Sequence, residues 1–265
     1  SGGNSLVRVE GLYKSFGDKP VLKGIDLGFA PHKTTVVLGP SGCGKSVLLK
    51  HLVGLLRPDR GEVWFDGKRI DTIPEREFTS IRRQFGFLFQ MGALFDSLNV
   101  KENIAFPLHE SGIHDPQECL ERIKQVLAMV GLEECLDMMP ADLSGGQRKR
   151  IALARSIVLQ PRVMLYDEPT TGLDPIRSDV INELILKLQQ ELEATSIVVT
   201  HDLTSAFKVA DYMVLMLDGH IVMEGVPELF RNPEDPEIAR FMQGRASSQE
   251  LAAIRNSSHR TGVLS

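Results

Sequence analysis

The stretch that most constrains this chain is Gly39-Pro40-Ser41-Gly42-Cys43-Gly44-Lys45-Ser46. It follows the apolar run Thr35-Val36-Val37-Leu38 and leads into Val47-Leu48-Leu49-Lys50-His51-Leu52. The order is strand, glycine-rich turn, helix, and the pattern is G-x-x-x-x-G-K-[ST]. Each residue type has a physical reason to stand there. Glycines let backbone N–H groups turn inward on an anion with no Cβ in the way. The helix that follows aims its positive end at the same point. Lys45 brings a compact charge suited to β- and γ-phosphates, and Ser46 a hydroxyl suited to Mg²⁺. Cys43 occupies a position the pattern leaves open and reads as a small filler.

The rest of the chain alternates strands and helices, which predicts an α/β fold. Period-two alternation predicts strands over 6–10 and 21–29, joined through a turn at Gly17-Asp18-Lys19-Pro20. A buried strand over 36–38 feeds the loop, and the helix from Lys45 to about Val53 closes at Gly54 and Pro58. A strand over 61–65 precedes a tight turn at Asp66-Gly67, and 85–90 is an apolar strand ending in Gln90. Helical patterning covers 100–108 and 116–130, and a further helix opens at Asp142-Leu143-Ser144-Gly145-Gly146-Gln147. Beyond it come apolar strands over 163–168 and 197–202, with an amphipathic helix over 175–193 between them. A hairpin turns at Asp218-Gly219. From Pro227 the chain is polar and helical, from Gly244 it is Ser-rich, and residues after about Ser257 are expected to be mobile.

Composition narrows the partners. A net charge of −5 gives no global basic excess, so no nucleic-acid partner is expected. Cys43, Cys119 and Cys135 are odd in number and scattered, which fits a reducing compartment better than a disulfide framework. No stretch approaches the ~18–20 apolar residues that span a bilayer. Ser1-Gly2-Gly3-Asn4-Ser5 is not expected to be a secretory signal. Any membrane connection is therefore expected to run through partners.

Several residues are candidates for chemistry. Asp167-Glu168 ends an apolar strand, where a carboxylate can help to hold Mg²⁺ and a neighbour can orient or deprotonate water. Gln90 and His201 each end a strand, compatible with sensing a γ-phosphate or with ordinary strand-end polarity. Asp174, in Gly172-Leu173-Asp174-Pro175, reads as a turn or a helix cap. Ser144-Gly145-Gly146-Gln147 makes either an N-cap with a flexible glycine pair or a second anion site. One chain needs one γ-phosphate site, so a second one suggests that it completes a partner's.

Taken in this order, the 39–46 loop, Gln90, Leu143 to Gln147, Asp167-Glu168, Asp174 and His201 resemble an ABC-type ATPase subunit, from about Leu6 to Phe230. The resemblance implies a RecA-like P-loop NTPase core with an N-terminal antiparallel β subdomain and an inserted α-helical subdomain. The core would take 6–90 and 155–226, the helical insertion with the signature 91–154, and a C-terminal extension 227–265. It implies ATP and Mg²⁺ as ligands. Gly39, Pro40, Ser41, Gly42, Cys43, Gly44, Lys45, Ser46 and Val47 would hold ATP, with Phe16 stacked on adenine and Tyr13 as runner-up. Ser46, Gln90 and Asp167 would ligate the metal, and Glu168, His201 and Gln90 would carry catalysis. A second copy, packed head to tail, would contribute Ser144, Gly145, Gly146, Gln147 and Asp174.

The run from Met91 to Leu108, with Gly92-Ala93-Leu94-Phe95 and Asn103-Ile104-Ala105-Phe106-Pro107-Leu108, is similar to ATPases of MCE-type lipid transport systems such as the Mla phospholipid system. It is less similar to amino-acid importer ATPases, which supply the alternative function. Two positions depart from the pattern: Gln147, where several relatives carry Met, and Val47, where Thr is frequent. The resemblance implies peripheral attachment to the cytoplasmic face of a bacterial inner membrane through permease subunits. An MCE-domain protein and a small accessory subunit are the further partners it suggests. Leu94, Phe95, Leu98 and Val100 are expected to line a groove for a short permease helix, or else to pack inside the helical lobe.

Overall fold

The computed structural model describes residues 5–89, 94–248 and 252. Gln90, Met91, Gly92, Ala93 and the tail after Ser257 lie outside them. Two sheets carry the architecture. The first contains β1 (Val7–Phe16), β2 (Lys19–Phe29), β4 (Arg60–Phe65) and β5 (Lys68–Arg69), in the order β2-β1-β4-β5. Its neighbours pair antiparallel. Val7, Val9 and Leu12 of β1 are buried while Glu10 is exposed, the alternation of a sheet with one covered face. A bulge between Val9 and Leu12, with Gly11 at φ 54°, carries β1 on to Phe16, beyond the 6–10 stretch that the alternation predicts.

The second sheet contains β3 (Thr34–Leu38), β6 (Phe85–Leu88), β7 (Val163–Asp167), β8 (Thr195–Thr200), β9 (Tyr212–Leu217) and β10 (His220–Gly225). Their order is β10-β9-β3-β8-β7-β6. From β9 through β3, β8 and β7 to β6 the pairs are parallel. Every residue of β3, β7 and β8 is buried, which is why these segments read as apolar runs rather than alternations. Parallel strands end together, so the loops after β3, β7 and β8 emerge at one edge of the sheet, where α/β proteins place their ligands.

The helices are α1 (Lys45–Leu52), α2 (Glu75–Arg82), α3 (Val100–Glu110), α4 (Pro116–Val130), α5 (Gly145–Ile157), α6 (Pro175–Leu192), α7 (Leu203–Val209) and α8 (Pro236–Met242). Local chemistry sets their ends. Asn99 and Glu102 form a capping box on α3, Asp115 caps α4, and Gly131 ends α4 at φ 66°. α3, α4 and α5 pack on one another as a helical lobe. The sequence reading missed α2, α7 and β5.

The chain divides into two compact units, Ser1–Glu224 and Gly225–Ser265. The second contains a 3₁₀ turn, Pro227–Phe230, and α8, whose N-terminus is capped by the Asp235 side chain.

Candidate nucleotide-binding site

The loop between β3 and α1 closes tightly. A Cβ on Gly39 would lie 2.5 Å from the Met216 carbonyl oxygen and 2.6 Å from Cys43 Sγ, so only glycine fits. Gly44 caps α1 at φ 105°, a conformation that glycine alone adopts easily. Cys43 is buried, and burial pushes its thiol pKa up, as expected of a filler.

Lys45 follows at the start of α1 and is 4% exposed. Its Nζ donates to the carbonyls of Gly39 (2.7 Å) and Pro40 (2.9 Å) and lies 3.6 Å from Glu168 Oε1. Ser46 Oγ donates to Asp167 Oδ1 at 2.8 Å. Burial raises the Asp167 pKa, and the Ser46 hydrogen bond opposes that rise. The pair offers hard oxygen donors side by side, the chemistry Mg²⁺ prefers. Val47, next in α1, is partly buried against the core.

Glu168 sits just past β7 at φ 49°, an uncommon conformation for a residue with a side chain. Its N–H donates to the Val199 carbonyl at 2.9 Å. Its Oε2 lies 2.9 Å from His201 Nδ1 and accepts from the His201 backbone N–H at 3.3 Å. His201 stands one residue past β8, not within it, and its side chain is half-exposed. A carboxylate flanked by a lysine and a half-exposed histidine can accept a proton from a bound water.

Phe16 closes β1 and is 48% exposed, which excludes a core role. The Lys14 ammonium lies 5.6 Å from its ring. Tyr13 has the Arg60 guanidinium 4.1 Å over its ring, so that face is covered.

Other expected residues stand at the N-termini of α5 and α6. Ser144 caps α5 in a capping box: its Oγ accepts from the Gln147 N–H, and Gln147 Oε1 accepts from the Ser144 N–H. Ser144, Gly146 and Gln147 line a small cleft of about 90 Å³ with Arg177 and Ile181 of α6. Asp174 is the N-cap of α6, accepting from the Arg177 N–H, and also pairs with the Arg177 guanidinium.

The apolar segment after Gln90 divides. Leu94 and Val100 are 8% and 0% exposed, so of the two readings they follow packing inside the lobe and not the groove. Phe95 stays 43% exposed and joins Phe89 and Phe106, two residues the sequence reading did not place there. With Phe87, Pro107 and Arg155 they line a groove of about 580 Å³. The missed signal is helical phase. Val100, Ile104 and Leu108 form the buried stripe of α3, which leaves Phe106 facing out.

Residues 22–171 match the family model described as ABC transporter. The chain belongs to the ABC transporter ATP-binding family. MlaF of Haemophilus influenzae, named as an intermembrane phospholipid transport system ATP-binding protein, is 39% identical over 243 residues, 91% of this chain and 92% of its own. The probable ribonucleotide transport ATP-binding protein mkl of Mycobacterium tuberculosis is 41% identical over 239 residues, 90% of this chain and 67% of its own. A solved ABC cassette dimer in a post-hydrolysis state, bound to ADP and Pi, is similar with a TM-score of 0.76 at 32% identity. That likeness covers 83% of this chain and 98% of the solved one. This ABC cassette is thus an ATPase, and its mixed α/β architecture is the ABC ATPase fold.

Proposed function

We propose that this ABC cassette couples ATP hydrolysis to phospholipid movement between inner and outer membranes, as the ATPase of an MCE/Mla-type transporter. The observation that carries the chemistry is the meeting of Lys45, Ser46, Asp167, Glu168 and His201 beside one phosphate loop. The likeness to MlaF, which spans 91% of this chain, supports the cargo. It does not favour the alternative of a polar amino acid importer.

On this reading the 39–46 loop wraps the phosphates, and Lys45 exchanges its carbonyl partners for phosphate oxygens. Ser46 and Asp167 would hold Mg²⁺, with Gln90 as a further ligand. When bound, Mg²⁺ neutralises charge on the β- and γ-phosphates. Glu168 takes the proton of a water whose oxygen bonds to the γ-phosphorus, and the bond to the bridging oxygen breaks with its electron pair leaving on ADP. His201 holds Glu168 and reaches the γ-phosphate. Phe16 stacks on adenine, worth about 0.5–1.5 kcal/mol.

A second copy, head to tail, supplies Ser144, Gly145, Gly146, Gln147 and Asp174. The cleft that Ser144, Gly146 and Gln147 line with Arg177 and Ile181 has no residue of the 39–46 loop in its lining, which supports this reading. The division into core (6–90 and 155–226), helical insertion (91–154) and extension (227–265) belongs to the same reading. Permease subunits dock at the Phe89–Phe95–Phe106 groove and carry the cassette on the cytoplasmic face of the inner membrane. An MCE-domain protein and a small accessory subunit complete the complex. Among the described residues no helix is long and apolar enough to cross a membrane.

The test is ATPase activity of the cassette reconstituted with its co-purifying permease in phospholipid vesicles. Stimulation that follows phospholipid composition is expected. Stimulation by ribonucleotides instead would move the cargo to the class for which the mycobacterial relative is named.

A further inference from the structure

Next to Glu168 and His201 in the chain lies a set of polar side chains from three elements, buried at Thr170, Asn182 and Ser205 and partly exposed at Asp202. Asp202 is its centre. Asp202 Oδ2 accepts from Ser205 Oγ at 2.6 Å and from Thr170 Oγ1 at 3.2 Å. Asp202 Oδ1 accepts from the backbone N–H groups of Thr204 (3.0 Å) and Ser205 (3.3 Å), capping α7. Asn182 of α6 donates from Nδ2 to Ser205 Oγ at 2.9 Å. Thr170, Asn182 and Ser205 are 6%, 3% and 1% exposed.

This set is a poor way to gain stability. Asn182 Oδ1 is buried with no partner among the described residues, which carries a desolvation cost. Apolar side chains of similar shape would fill the same space without that cost. What the set provides is connection. Thr170 is two residues from Glu168, and Asp202 is next to His201. The two halves of the Glu168–His201 pair are therefore each fastened, within two residues, to one carboxylate. Glu168 also holds a left-handed φ of 49°, and such a conformation persists only where the surroundings over-determine it. Through Asn182 the set reaches α6, whose earlier residues Arg177 and Ile181 line the cleft with Ser144 and Gly146.

We propose that Thr170, Asp202, Ser205 and Asn182 form a positioning clasp. It fixes the Glu168–His201 pair for attack by water and ties that pair to α6, the helix beside this copy's Ser144 segment. The inference rests on the roles given above to Glu168 and His201. These four are positioning residues, since they act through that pair.

The experiment uses the full chain and three variants. Thr170→Val and Ser205→Ala each remove one hydroxyl, and Thr170→Ser keeps it. The expected result is a kcat lower by about 10–100-fold in Thr170→Val and Ser205→Ala, the size expected of a small misplacement. KM and equilibrium binding of ATP stay within about twofold, and Thr170→Ser retains wild-type kcat. Rates are read well below each variant's melting temperature. Wild-type kcat in both hydroxyl-lacking variants, or losses that only track the unfolded fraction, would overturn the clasp. Glu168→Gln is assayed alongside. Full activity there would sink the site reading itself, whereas an inactive Glu168→Gln beside fully active Thr170→Val and Ser205→Ala would sink the clasp alone.

Discussion

Glu168 and His201 lie 33 residues apart in the chain, yet the glutamate Oε2 is 2.9 Å from the histidine Nδ1. Parallel pairing of β7 with β8 produces the meeting, because both strands deliver their last residues to the same edge. Replacing the carboxylate by an amide keeps its shape and removes its basicity. Glu168→Gln is expected to lower steady-state phosphate release by about 10²–10⁴-fold. ATP binding and ATP-dependent dimerisation should persist. Release at the wild-type rate would exclude Glu168 as the proton acceptor.

The proposed head-to-tail pairing, in which Ser144 of one copy completes the site of Lys45 in the other, predicts a concentration effect. Turnover per chain should fall on dilution, while ATP binding to each chain changes little. Ser144→Arg should lower turnover much more than ATP binding, because it places a long side chain where the partner's nucleotide is to sit. An obligate monomer with full activity would refute this.

Phe95 packs on Phe106, with ring centroids 4.8 Å apart, on the exposed side of the groove. A charge there disfavours an apolar partner. Phe95→Asp is expected to reduce permease co-purification by about tenfold or more, a loss of about 1.4 kcal/mol. ATP binding should be retained, as measured by nucleotide titration of the isolated cassette.

Asp202 gives a pH signature. Burial works against its charge, but hydrogen bonds from Ser205, Thr170 and Thr204 outweigh it and hold the carboxyl below the ordinary Asp range. A carboxyl depressed in the folded state contributes stability that is present above its unfolded pKa, about 3.9, and lost as pH falls through the folded value. Ser205→Ala removes one donor and moves the folded value back up. Urea unfolding should therefore show a variant deficit that is constant from about pH 7 to 5 and narrows below about pH 4. A deficit unchanged across that range would mean that the hydroxyl does not act on the charge.

Asn103 is fully buried and secures the turn before α3. It accepts from the Phe95 N–H at 2.8 Å and donates to the carbonyls of Phe95 (3.1 Å), Leu98 (2.9 Å) and Asn99 (3.0 Å). Asn103→Ala strands several of these groups and should destabilise the fold by about 2–4 kcal/mol in chemical unfolding. A change under about 0.5 kcal/mol would show that water replaces the amide at little cost.

The phosphate loop was legible because its chemistry is contiguous: strand, glycines, lysine and serine follow one another along the chain. The buried parallel strands were legible because burial on both faces leaves unbroken apolar runs. The elements that were missed are short or polar. In α2 only Phe78 and Ile81 are buried among eight residues, too few to set a period. In α7 one of the three buried positions is Ser205, and the helix starts three residues after β8, so the strand reading ran on through His201 and Asp202. The clasp was invisible for a different reason. Thr170, Asn182, Asp202 and Ser205 carry no local pattern, and only the packing of α6 and α7 brings them together.

The capping box at Ser144 has a consequence for what that serine can offer. A hydroxyl has lone pairs to accept with and a single hydrogen to give. Here the lone pairs face the helix, taking the N–H of Gln147. The hydrogen finds no acceptor among the described residues and remains available to an oxyanion arriving from outside. Aspartate would hold the helix end equally well but would present only negative charge to that visitor. Serine thus serves two customers with opposite needs, one requiring an acceptor and the other a donor, and Ser144→Asp would separate them by keeping the helix and losing the anion.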